Sequence, residues 1–240
     1  QGKYQMQPDL PFVPGGECAG VVEAVGAAVT RWQIGDEVIH ASGAGSFSEA
    51  IVANEHTFLS KPKALSMVEA AGIGITYFTS YHALVQRAQL QPGETLLVLG
   101  AAGGVGSTAV ELGKALGAKV IAAASSDEKL ELCKQLGADE VINYGTEDLK
   151  GRLKTLTGGR GVDVVYDPVG GDFSEIAVRS MAWKGRFLVV GFANGPIPSI
   201  ALNLTLLKGC QIVGVFWGRF VGEEPEVHQQ NIATLWQWFE

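Results

Sequence analysis

Residues 95–120, TLLVLGAAGGVGSTAVELGKALGAKV, constrain the fold of this chain more than any other stretch. An unbroken apolar run, LLVL, meets Gly100, Gly103, Gly104 and Gly106, and then a helical pattern that stops at Gly117 before a second apolar run, KVIAAA. A strand that is apolar throughout, instead of alternating, is one covered on both faces, as in a parallel sheet. The glycines fall between that strand and the helix start, where backbone N–H groups without a neighbouring Cβ approach a pyrophosphate closely. The strict GxGxxG pattern is not met, because Ala102 fills its second glycine position, and no Gly-Lys-Ser/Thr follows to make a P-loop. Glycines at such a junction also serve tight helix-to-sheet packing, and the strand-helix-strand context is what favours a dinucleotide.

The same rhythm continues through EVINY, VDVVYD, GRFLVVG and QIVGVF, separated by helical stretches. Six such strands predict an α/β fold built on a doubly wound, six-stranded parallel sheet of the Rossmann type. ELGKALGAKV and ELCKQLGADEV repeat each other at an offset of 20 residues. Two copies, each a helix closed by Gly117 or Gly137, read as successive turns of one winding and not as a solenoid. Upstream, residues 1 to about 60 hold short apolar runs, GVVEAV and EVIHA, punctuated by PGG and GD, the pattern of small antiparallel strands joined by tight turns. Residues 62–90 read as helical and join the two parts. The expected organisation is an incomplete β-rich domain over 1–75 and a nucleotide-binding domain over 76–240.

The chain of 240 residues is 47% hydrophobic with a formal charge of -7, so it carries no basic footprint for nucleic acid. No run of 18 apolar residues is present to cross a bilayer. Cys18, Cys133 and Cys210 are far apart and form no CxxC, which predicts neither a disulfide framework nor a zinc knuckle, and the cytoplasm is the expected compartment. The start lacks an initiator Met and the end, LWQWFE, falls inside an amphipathic pattern, so the chain reads as truncated at both ends.

The end of the second strand selects between cofactors. An acid there, about 20 residues beyond the loop, would accept from the ribose hydroxyls of NAD. It would also repel a 2'-phosphate by about 4 kcal/mol per charge pair at 4 Å in an intermediate dielectric. Here the chain reads Ala124, Ser125, Ser126 and, one turn on, Lys129. Two hydroxyls and an ammonium donate to phosphate, and each charge-assisted bond contributes about 1.5 to 3 kcal/mol. NADP(H) is therefore the expected cofactor. Ser126 and Asp127 also suit a helix cap, with Lys129 a solvated charge, and capping is compatible with phosphate binding.

With AAGGVG, VINY, YDPVGG, VVGFA, LNLTLLKG and VGVFWG in this order, and PFVPGGECAGVVEAVG and GDEV upstream, the chain resembles the zinc-independent quinone oxidoreductases, the zeta-crystallin-like family of the medium-chain dehydrogenase/reductases. The resemblance implies a partial GroES-like catalytic domain followed by the Rossmann domain. It places Ala102, Gly103, Gly104, Val105 and Gly106 at the pyrophosphate, and Ser125, Lys129 and Tyr144 around the 2'-phosphate. Val169, Gly191, Phe192, Ala193, Val215, Phe216 and Trp217 would line the nicotinamide end, although core packing suits Val169 and a helix or subunit contact suits Phe216 and Trp217 equally well. Thr79 matches a position near the nicotinamide and is the single catalytic candidate; a Thr bonding back to a carbonyl of its own helix is the alternative.

No metal site is expected. Where zinc-dependent relatives carry Gly-His-Glu this chain has Gly15-Gly16-Glu17, and Ile75 stands at the position of a cysteine ligand. The implied activity is hydride transfer from NADPH to a quinone or an α,β-unsaturated carbonyl. Reduction of an enoyl thioester and non-catalytic NADPH binding are the alternatives. Tyr77, Tyr81 and His82 suggest a proton relay, against which stands the ordinary burial of aromatics in a connecting helix. Glu223, Glu224 and Glu226 around Pro225 predict the first turn of a helix. A homodimer is implied through the edge strand QIVGVFW.

Overall fold

The computed structural model describes residues 9–41 and 43–240. Its contacts divide into two compact units, Gln1–Ile75 with Ile232–Glu240, and Thr76–Asn231. In the first unit, β1 (Glu17–Val21), β2 (Glu37–Ala41) and β3 (Phe58–Ser60) form an antiparallel sheet in that order. Val38, Ile39 and His40 of the central strand are buried. The Trp236 indole N–H donates to the Ser60 carbonyl at 2.9 Å at the outer strand.

The second unit is the expected parallel sheet. Its strands are β4 (Thr95–Leu99), β5 (Lys119–Ala124), β6 (Glu140–Asn143), β7 (Val162–Asp167), β8 (Met181–Val189) and β9 (Gln211–Gly214). They lie in the order β6-β5-β4-β7-β8-β9, every pair parallel. All of β4, and β5 beyond Lys119, is buried, which is why these strands read as continuous apolar runs. Leu97, Leu99, Ile121, Ile142, Val165 and Phe187 join residues of the flanking helices, Leu153 and Val178 among them, in one core.

Preceding β4 are α1 (Met67–Ala70), α2 (Gly74–Tyr81) and a π-helical turn, His82–Arg87. Six further helices follow within the winding: α3 (Gly104–Ala115), α4 (Asp127–Gln135), α5 (Leu149–Leu156), α6 (Asp172–Arg179), α7 (Asn203–Lys208) and α8 (Trp217–Glu223), with α9 (Pro225–Phe239) closing the chain. The 20-residue echo is two turns of the winding. Gly117 and Gly137 take positive φ of 80° and 98°, and the residue after each donates back into its helix, Ala118 to Gly113 and Ala138 to Cys133.

The Glu223–Glu226 expectation needs a correction. Glu226 does lie in the first turn of α9, but Glu223 ends α8, where it pairs with Arg219 one turn back. Pro225 forces the break, because it excludes helical geometry at Glu224, whose φ and ψ are -131° and 57°. No helix among the described residues is long and apolar enough to cross a membrane.

Candidate cofactor and active site

The order reverses at β4, whose neighbours β5 and β7 lead away in opposite directions, so a crevice opens at the carboxyl end of this strand. The glycine loop occupies that end. Gly100 turns the chain with φ of 59°, Gly103 donates to the Gly100 carbonyl at 2.9 Å, and α3 begins at Gly104. The N-cap is Gly103 and no side chain caps the helix, which leaves its first-turn N–H groups available to an anion at the positive end of the dipole. Gly106 has a different task from the glycines before it. A Cβ there would lie 2.2 Å from the Gly100 carbonyl oxygen and 2.9 Å from the Ala101 Cα, so its missing side chain is what lets α3 start against the strand.

At the end of β5, Ala124 is buried and Ser125 is exposed. Ser126 caps α4, its hydroxyl accepting from the Lys129 N–H at 3.4 Å, while Lys129 Nζ donates to Ser125 Oγ at 3.1 Å. The cap and the exposed hydroxyl-ammonium pair coexist. Two residues absent from the sequence reading frame this corner. Asn143 Nδ2 donates to Asp127 in the first turn of α4 at 2.7 Å, and a Cβ on Gly145 would lie 2.8 Å from the Ser125 carbonyl oxygen. Tyr144 is tied in by its backbone, whose N–H donates to the Ala124 carbonyl at 3.0 Å. Its ring packs on Phe173 with centroids 4.4 Å apart, and burial raises its pKa.

The turns after β7 and β8 are zipped together. The Asp167 carboxylate, almost fully buried, accepts from the Val169 and Gly170 N–H groups at 2.8 and 2.9 Å and from the Ser174 hydroxyl at 2.6 Å. Ala193 and Asn194 donate to the carbonyls of Pro168 and Val169, which sets Gly191, Phe192 and Ala193 alongside Val169. A Cβ on Gly100 would come within 2.6 Å of Val169 Cγ2, so Val169 also seals the glycine loop. Val215 extends the β8–β9 ladder by donating to Val189, and Phe216 is exposed. Trp217 opens α8. Thus Ala102–Gly106, Ser125 with Lys129, Tyr144, Val169, Gly191–Ala193 and Val215–Trp217 follow, one after another, the carboxyl ends of all six parallel strands.

Thr79 lies on α2 beside a buried hydroxyl network. Its neighbour Ser80 contacts the Tyr166 hydroxyl of β7 at 2.9 Å and the Thr108 hydroxyl of α3 at 2.8 Å, and donates to the Val105 carbonyl at 2.9 Å. The Thr79 hydroxyl has no hydrogen-bond partner among the described residues, so its bond back to a carbonyl of its own helix is not made. Tyr77 and His82 each have a partner on another helix. Tyr77 donates to Glu111 of α3, and burial together with that carboxylate pushes its pKa up. His82 stacks on Phe220 at 3.9 Å, and burial lowers its pKa.

Family models described as "Alcohol dehydrogenase GroES-like domain" and "Zinc-binding dehydrogenase" match residues 1–63 and 104–238. Quinone oxidoreductase-like protein 2 of Rattus norvegicus is 41% identical over 239 residues, covering 99% of this chain and 68% of that protein. The chain belongs to the quinone oxidoreductase family of the medium-chain dehydrogenase/reductases. It spans about two thirds of the length of the curated relatives it matches, 66% of one and 68% of another. Among solved structures, quinone oxidoreductase of Escherichia coli complexed with NADPH superposes with a TM-score of 0.88 at 32% identity, covering 97% of this chain and 72% of that one. CurK enoyl reductase superposes with a TM-score of 0.84 at 32% identity, covering 94% of this chain and 67% of that one.

Because one matched model is described as zinc-binding, the corresponding residues of this family member bear on what a metal would find. A Cβ on Gly16 would lie 2.8 Å from the tip of the Ile75 side chain, so the residue in the cysteine position packs directly against the place of the histidine. The Glu17 carboxylate accepts from the Ile75 N–H at 2.7 Å. Burial raises its pKa despite bonds from the Ile75 and Gly74 N–H groups. Cys18, the next residue on β1, points to the opposite face of the strand. These residues do not fit a zinc ion, which needs three protein ligands converging on one point. Among the described residues, no cluster of three or more His, Cys, Asp and Glu side chains is placed to hold a metal.

Proposed function

We propose that the protein binds NADPH along the carboxyl edge of its parallel sheet and reduces a quinone or an α,β-unsaturated carbonyl without a metal. The observation that carries this reading is the exposed Lys129–Ser125 pair at the end of β5, standing where an NAD-specific site carries an acid. The uncapped start of α3 suits the pyrophosphate, and the Ser125 hydroxyl and Lys129 ammonium suit the 2'-phosphate. Val169 and the Gly191–Ala193 turn wall the nicotinamide end, and the unpartnered Thr79 hydroxyl orients the ring.

When bound, NADPH supplies hydride from its nicotinamide C4. The protein orients the acceptor and keeps the site dry, so that hydride arrives at an electrophilic carbon while negative charge spreads onto the acceptor oxygen. The proton comes from solvent or a nearby hydroxyl. A strong Lewis acid is dispensable for such acceptors, whose conjugation already stabilises the anion.

The test is NADPH and NADH oxidation by the protein with 9,10-phenanthrenequinone, an alkenal and crotonyl-CoA, each with and without a chelator. Preference for NADPH, chelator-insensitive, with the quinone or alkenal is the expected result. Loss of activity with the chelator overturns the metal-free mechanism. Turnover of crotonyl-CoA alone favours an enoyl-thioester reductase, a reading supported by the likeness to CurK enoyl reductase. Binding of NADPH with no oxidation across the panel favours a non-catalytic role. A cytoplasmic, homodimeric enzyme completes the proposal. The dimer rests on β9, which ends the sheet beside exposed Ile212, Leu206 and Leu207.

A further inference from the structure

Helix α9 brings His228 into an aromatic box. The rings of Phe78, Trp217 and Phe220 lie 5.3, 5.8 and 6.0 Å from the imidazole centroid, each at a steep angle to it. Phe78 and Trp217 also face each other at 6.1 Å. Within this box two polar atoms shielded from solvent, Trp217 Nε1 and His228 Nδ1, have no hydrogen-bond partner among the described residues. Most buried polar atoms in folded proteins are partnered, because leaving one unsatisfied forfeits its hydration with no return.

The chemistry of the pair specifies what joins it. An indole N–H donates only, so whatever partners it accepts; to satisfy His228 as well, the same group donates to Nδ1. Water is the smallest group that does both. Burial and neighbouring His82 hold the His228 pKa down to about 4, so at neutral pH the imidazole is uncharged and one ring nitrogen accepts.

Trp217 closes the Val215–Trp217 segment and packs on Phe78, the residue before Thr79. We infer that His228 is a positioning residue: through one buried water it holds Trp217, and with it Val215 and Phe216, in the orientation that the nicotinamide end of the cofactor site requires. The inference rests on the NADPH reading and assigns His228 no contact with cofactor or substrate.

Calorimetric titration of the full chain with NADPH and with adenosine 2',5'-bisphosphate separates the two ends of the site, because the bisphosphate lacks the nicotinamide half. His228→Phe, which loses Nδ1, is expected to weaken NADPH binding about tenfold and to leave bisphosphate binding unchanged. His228→Asn, whose Oδ1 falls near the place of Nδ1, restores the affinity for NADPH. Trp217→Phe removes the donor, and the Trp217→Phe, His228→Phe double variant is no weaker than the worse single one, since both act through one bridge. Equal losses for both ligands, no rescue by Asn, or additive losses in the double variant overturn the inference. Wild-type protein that binds neither ligand overturns the cofactor reading and this inference with it; intact NADPH binding in His228→Phe overturns the inference alone.

Discussion

At the scale of single residues, the proposed cofactor preference turns on one side chain. Lys129 projects from the first turn of α4 onto Ser125, held there by the helix that Ser126 caps. Replacing it with alanine removes a charge-assisted contact of about 1.5 to 3 kcal/mol, which raises the KM for NADPH by about tenfold or more. The KM for NADH stays unchanged, and steady-state kinetics with both cofactors checks the ratio. His228 makes a second prediction, in pH. Its pKa is about 4 when folded and 6.5 in an ordinary setting, so the unfolded chain binds the extra proton between those values. Stability is therefore full above pH 6.5 and falls as the pH drops toward 4. Thermal melts at pH 7 and pH 5 should show a larger loss for wild type than for His228→Phe. The place of Ser125 and Lys129 at the end of β5 was legible because their spacing from the glycine loop is local. Asn143 and Gly145, which frame the same corner, were not, because only the β5–β6 pairing brings them to Ser125.

Elements show why the sequence pattern carried so far. Apolar strands, glycine-capped helices and a 20-residue echo are properties of contiguous chain, and the six parallel strands form over the apolar runs expected of them, whereas the run GVVEAV is strand only at Gly20 and Val21, the end of β1. Gly106 illustrates the limit of such reading. It looks like one more phosphate glycine, yet the distances give it a packing role between α3 and the end of β4. Gly106→Val is expected to force α3 off the strand, lowering stability by about 3 kcal/mol and abolishing cofactor binding. Chemical denaturation and NADPH titration read the two effects, and a variant with native stability would remove that role. The π-helical turn at His82–Arg87 had no local signal, since its residues suit an ordinary helix. The break between Glu223 and Glu226 was half-legible: proline marks it, but the Arg219–Glu223 pair assigns Glu223 to the helix before.

For the whole molecule, the decisive feature is the strand order. With β4 at the centre and β6 and β9 at the edges, six loops that lie far apart in the chain share one border of the sheet. The same order exposes β9 as an edge, and Ile212→Lys places a charge on it that a self-paired sheet cannot bury. Sedimentation of the wild type as a dimer and of this variant as a monomer is the expected outcome; two monomers would refute the edge. The fold class, the position of the glycine loop and the place of Ser125 and Lys129 at the end of β5 were readable along the chain, because periodicity, turn chemistry and short spacings are written there. What the tertiary structure alone settled is that the Ile75 side chain packs against Gly16 and that His228 meets Trp217 inside an aromatic box. Those neighbours are chosen by packing between elements, and side chains brought together across a core have no spacing along the chain by which they could be read.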